Sequence, residues 1–184
     1  MPLPIAHALI GASVVVALRD DFSLRWNWKP MLLGVVIAVV PDFDLFFSWV
    51  LGYGLVMHAG FTHSIVFALA FGSALSLLVG EKSVRGVLGY IAAVLSHGLL
   101  DTITKKEFGG AQLLWPISDH RYKLGIFSEY QFYPAPHQQP IGEILQQASV
   151  ISGYELMIYL PPLILVVCLR SFRRWRGLRL KENN

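Results

Sequence analysis

Four short polar clusters interrupt long apolar runs, and this pattern constrains the fold more than any other feature of the chain. His7, Pro41-Asp42-Phe43-Asp44, His58 with Thr62-His63-Ser64, and Ser96-His97 with Asp101 all lie inside or against strongly apolar stretches. In a bilayer every backbone polar group must be satisfied internally, so such runs become helices. Ionisable side chains within them are expensive to bury and mark a site by default. Only 15% of the residues are charged and 54% are hydrophobic, whereas a soluble domain carries about 25% charge. The expected fold class is all-α: a polytopic membrane helix bundle forming one domain over residues 1–184.

Five apolar segments are candidates for spanning: residues 3–18, 31–51, 62–80, 84–100 and 154–169. The first lacks a basic leader and a cleavage site, so it reads as retained. Pro41 and its two aspartates should break or kink the second. Pro161-Pro162 should kink the fifth. Of the 15 lysines and arginines, all but Lys105, Lys106, Arg121 and Lys123 fall in the 19–29 loop, the turn holding Lys82 and Arg85, or the basic tail 170–184. The positive-inside rule then puts the N-terminus outside and the tail in the cytoplasm. On this topology all four polar clusters reach the same, outer, face of a cytoplasmic membrane.

His and Asp together are ligands suited to a divalent metal. His97 and Asp101 are spaced i, i+4 and project from one helical face. Asp42 and Asp44 follow Pro41, where a helical start would hold them in its first turn. One could ligate while the other orients a ligand or acts as base, and simple N-terminal capping is the competing account. Gly60 permits a sharp turn between His58 and His63, and Thr62 or Ser64 can cap the third segment. The candidate metal set is therefore His7, Asp42, Asp44, His58, His63, His97 and Asp101, holding one to three ions, zinc before others. The candidate catalytic residues are Asp44 and Asp42, either of which could activate water against a phosphoester. His120 and His137 are spare candidates with weaker settings.

Other chemistries lack support. Cys168, the single cysteine, sits in an apolar run and is expected to pack there. The chain has no Gly-x-Ser-x-Gly elbow and no Walker loop. Its basic tail follows an apolar segment, so membrane lipid, not nucleic acid, is the expected partner. The connection 101–153 is expected to be an outer loop. It carries Trp115, Tyr122, Phe127, Tyr130, Phe132 and Tyr133 with several cations, a composition suited to headgroups or to plain interfacial anchoring.

The ordered series His7, Pro41-Asp42-Phe43-Asp44, His58-x-x-x-Thr62-His63-Ser64, Ser96-His97-x-x-Leu100-Asp101-x-x-Thr104, then Gly109-Gly110 and Leu113-Leu114-Trp115-Pro116, resembles the YdjM-type inner-membrane metal-dependent hydrolases. The likeness covers roughly residues 1–125. Through a more distant similarity of that family to zinc-dependent phospholipase C and P1-type nucleases, it implies a helical metal site that hydrolyses phosphoesters. Ala59 departs from the family pattern, which commonly has arginine after this histidine, and an arginine contact to phosphate at that position is thereby lost. A non-catalytic metal-binding or transport-related membrane protein is the competing reading. Transport needs a polar path, and the inner halves of the segments lack ionisable residues.

Overall fold

The computed structural model describes residues 4–51, 58–103, 110–126 and 139–182. Six α-helices occur among them: α1 Pro4–Leu18, α2 Lys29–Ile37, α3 Asp44–Val50, α4 Ile65–Leu78, α5 Val84–Ile103 and α6 Ile141–Glu182. Two short 3-10 turns, Val40–Phe43 and Phe61–His63, precede α3 and α4. No strand forms among the described residues, and isolated bridges join Ser23 to Asn27 and Ala111 to Tyr122.

The second apolar segment breaks where proline dictates. α2 stops at Ile37, and Lys29–Ile37 and Val40–Phe47 meet at a 42° bend. Pro41 has no N–H to continue the α-helical ladder, so the chain passes through a 3-10 turn instead. Ser64 starts α4 as its N-cap, its hydroxyl accepting from Phe67 N at 3.0 Å. α6 runs unbroken through Pro161-Pro162, as prolines can within apolar helices. α6 departs from expectation at its start. It begins at Ile141, so the C-terminal part of the predicted 101–153 loop is helical. Residues 141–153 escape an apolar-run criterion because glutamate and glutamines punctuate them.

α1 occupies the centre, packed against α2, α5 and α6, while α4 packs on the far side of α5. Val15, Ile37, Ala68, Tyr90, Ala93 and Val94 form the core between these helices. α1 and α2 cross closely at Gly11 and Gly34. A Cβ on Gly11 would strike the Ala38 methyl and the Gly34 carbonyl, so small residues set this contact, as in membrane bundles generally.

α5 and Ile141–Gly177 of α6 are long and apolar enough to cross a bilayer, and the bent α2–α3 pair adds a third if it is one broken span. α1 and α4, with 15 and 14 residues, extend only about 21–22 Å against a hydrocarbon core of about 30 Å. Cys168, expected to pack, is exposed on α6.

The two ends of the bundle differ in chemistry. At one end Arg19 forks onto Asp21 at 2.9 Å, bonds Glu81, and reaches the Tyr90 hydroxyl at 3.2 Å. The hydrogen bonds from Arg19 hold the Asp21 carboxyl below its ordinary range. Arg85 and Arg170 both bind Asp20. About 18 Å along α1 from Arg19 stands His7, at the opposite end, where the histidines and aspartates collect.

Candidate metal centre

Four separate stretches of chain deliver the polar cluster. His7 sits early in α1, Asp42 in the 3-10 turn after Pro41, and Asp44 at the start of α3. His58 and His63 come from the loop and turn before α4. His97 and Asp101 lie one turn apart on α5. Gly98 makes their meeting possible: a Cβ there would run into the His63 carbonyl oxygen. The 61–63 turn therefore lies directly on α5, with His63 between His97 and Asp101.

The inner layer is nearly dry. His7 is 1% exposed, His63 2%, and His97 and Asp101 0%. His63 Nε2 lies 3.2 Å from Asp101 Oδ2 and 3.8 Å from Asp42 Oδ1. His97 Nε2 lies 3.3 Å from Asp42 Oδ1 and 3.8 Å from Asp101 Oδ2. His7 Nε2 is 3.7 Å from Asp101 Oδ1, and its ring stacks on His97 with centroids 3.7 Å apart. The other nitrogen of His97 faces the Ala38 carbonyl at 2.6 Å. That bond makes Nδ1 the donor and turns the Nε2 lone pair toward the cluster.

These groups fit a divalent ion on two counts. Donors about 2.1 Å from one tetrahedral ion lie about 3.4 Å from each other, and the observed separations of 3.2–3.8 Å bracket that value. Asp42 Oδ1, His63 Nε2 and His97 Nε2 are also buried without a hydrogen-bond partner. Buried polar atoms in native proteins are almost always satisfied, so three converging exceptions point to a ligand. Three donor groups have suitable geometry: His7, Asp42 and His97; Asp42, His58 and His63; and His63, His97 and Asp101. They share members pairwise.

Asp44 belongs to none of these groups and stands one layer out. Its Oδ1 meets His58 Nδ1 at 2.7 Å. Its Oδ2 accepts from the Thr62 hydroxyl at 2.7 Å and from Ala59 N at 3.1 Å. Both aspartates lie in first turns as expected, while the N-cap positions themselves are Val39 and Phe43. Ala59 itself is buried with φ of +59°, a left-handed backbone that costs a non-glycine residue about 1–2 kcal/mol. Asp44 and the bond from Gln112 N to Ala59 O at 2.9 Å hold it there. Arg121 donates to the His58 carbonyl at 3.0 Å, so a cation does reach this loop, from a distant part of the chain.

His120 is exposed and stacks edge-on against Tyr122, outside all three donor groups. His137, Phe127, Tyr130, Phe132 and Tyr133 lie outside the described residues. One buried acid escaped the reading of the sequence: Glu155 of α6, 4% exposed, accepts the N–H of Ala6 at 3.1 Å. Its signal was present, as an acid within the fifth apolar segment.

The family described as "YdjM inner membrane protein" matches residues 1–175. The chain belongs to the YdjM family. It is also 33% identical over 162 residues to the inner membrane protein YbcI of Escherichia coli (strain K12), covering 79% of this chain and 90% of that protein. No solved structure matches the chain. The YdjM match spans every donor of the cluster, and the family description agrees with the apolar helices in making this an inner-membrane protein.

Proposed function

We propose that this YdjM-family protein is a membrane-embedded metal-dependent hydrolase acting on a phosphodiester or related ester of lipid-like character. The observation that carries the reading is the dry convergence of His7, Asp42, His63, His97 and Asp101, with three of their donor atoms left without hydrogen bonds. These residues would hold a zinc-like divalent ion. When bound, such an ion lowers the pKa of water and offsets charge developing on phosphoryl oxygen.

The chain's own groups supply the rest. Ala38 orients His97, and Asp44 orients His58 and the loop carrying His63. Asp42 is the one inner carboxylate open to the outside, its side chain 16% exposed against 0% for Asp101. It is the candidate to accept a proton from attacking water. Phe43, Phe46 and Phe47 follow it, exposed and clustered with ring centroids 5.4–5.9 Å apart, Phe43 stacked on Phe46 and Phe47 edge-on to both. In a membrane an exposed phenyl cluster faces lipid, so the approach past Asp42 suits a substrate with an apolar part.

The experiment is hydrolysis by the detergent-purified protein loaded with zinc, tested on a chromogenic phosphodiester and on phospholipid in discs. Metal-dependent turnover on either is the expected result. Turnover absent from both, with metal retained, would favour a non-catalytic metal-binding protein. The near-complete burial of the donors supports that second reading, because structural metal sites are closed whereas catalytic ones keep an open position.

The cluster and the arginine-rich end occupy opposite ends of α1 and α5, which supports an N-terminus and site at the outer face with the basic tail in the cytoplasm. A reporter fused after Lys181 should be active only on the cytoplasmic side. An external signal there would reverse both the topology and the face of the site.

A further inference from the structure

We propose that Glu155 is a positioning residue that fixes His7 within the metal centre, as one jaw of a two-ended clamp that α6 places on α1. The proposal rests on the metal-centre reading. α6 is exposed along most of its length and leans on the bundle mainly through α1. Ile151 and Glu155, one turn apart, are its buried positions in this region. A carboxylate on the packed face of an apolar helix is costly unless it meets a matching partner.

Its partner is the start of α1. The first N–H groups of a helix have no intrahelical acceptor and carry the positive end of the helix dipole. Glu155 Oε2 accepts one of them, from Ala6 at 3.1 Å. One residue later comes His7. At the other end of the same helix pair, Arg170 of α6 binds the Ala17 carbonyl and Asp20. The two helices run parallel, with an acid on the N-terminal amides of α1 and a cation on its C-terminal carbonyl. Both contacts complement the dipole, and together they fix how far α1 slides along α6. That axial position sets the height of the His7 ring, which stacks on His97 and reaches Asp101.

The test is cobalt binding by the full-length protein in detergent, followed by visible absorption, which reports the ligand set directly. Glu155→Ala should weaken Co²⁺ affinity by about 10–100-fold, as loss of a ligand's supporting contact does. Its spectrum should match that of His7→Ala. Glu155→Gln keeps an acceptor oxygen for the Ala6 amide and should retain most of the affinity. In the His7→Ala background, adding Glu155→Ala should cause no further loss. Wild-type affinity in Glu155→Ala, or a double variant weakened by the product of the two single effects, overturns the clamp while leaving the metal centre standing. Unchanged binding in His7→Ala removes His7 from the metal centre, and the clamp's role with it. Circular dichroism of each variant separates a lost contact from a lost fold.

Discussion

His97→Ala and Asp101→Ala should each lower affinity for zinc by at least tenfold, and together should leave the purified protein without bound metal. The two side chains are fully buried, one turn apart on α5, and face the same centre. His97 is the better-defined candidate ligand, since its Nδ1 bond to Ala38 leaves Nε2 as its donor atom toward the centre. Even contacts that merely support a ligand contribute 10–100-fold to metal affinity, so loss of a ligand should exceed that floor. Metal analysis of detergent-purified protein gives the answer. Full occupancy in both single variants would exclude this pair as ligands and shift the site toward Asp42, His58 and His63. Truncation should also leave a cavity, so thermal unfolding of the metal-free forms is the needed control. A shared loss of stability without metal would identify packing as the cause.

Asp44→Asn should weaken metal binding by about 10–100-fold and lose little turnover once metal is saturating. The carboxylate spends both oxygens on His58, Ala59 and Thr62. An amide presents one acceptor oxygen and one donor nitrogen: turned toward Ala59 and Thr62, the nitrogen breaks the bond from Ala59 N and loosens the left-handed turn, and turned toward His58 it donates to Nδ1 and shifts that ring's proton to Nε2, away from a ligating tautomer. In the first case His58 and His63 lose their orientation. A proton acceptor in the reaction would behave differently: its loss removes on the order of 10²–10⁴ in rate whatever the metal concentration. Such a defect at saturating zinc would make Asp44 the base and relieve Asp42 of that role. Titrating activity against zinc for wild type, Asp44→Asn and Asp42→Asn distinguishes the two assignments.

The sequence by itself carried much of what depends on local spacing. Apolar runs dictated helices because backbone groups in lipid must pair within their own segment. Pro41 dictated the break after α2, and the i, i+4 interval placed His97 and Asp101 on one face. Position narrowed the cap of α4 to Thr62 or Ser64, and Ser64 takes that place. Family motifs were legible too, since their order along the chain needs no geometry. What remained hidden depends on how distant segments pack. Spacing could list seven candidate ligands but could not divide them into layers; Asp42 and Asp44 differ by two residues, and only the loop folding back from Ala59 and Thr62 claims Asp44. The contact of Gly98 with the His63 carbonyl, the stack of His7 on His97, and the reach of Arg121 to His58 each join parts of the chain far apart in sequence. So does Glu155, which reads as an isolated acid in an apolar run until α6 docks on α1. Helical periodicity fixes which way a side chain points from its own axis. The crossing of one helix over another decides what it meets, and here that crossing is set by close contacts such as Gly11 against Gly34, whose steric fit no residue pattern along one segment records.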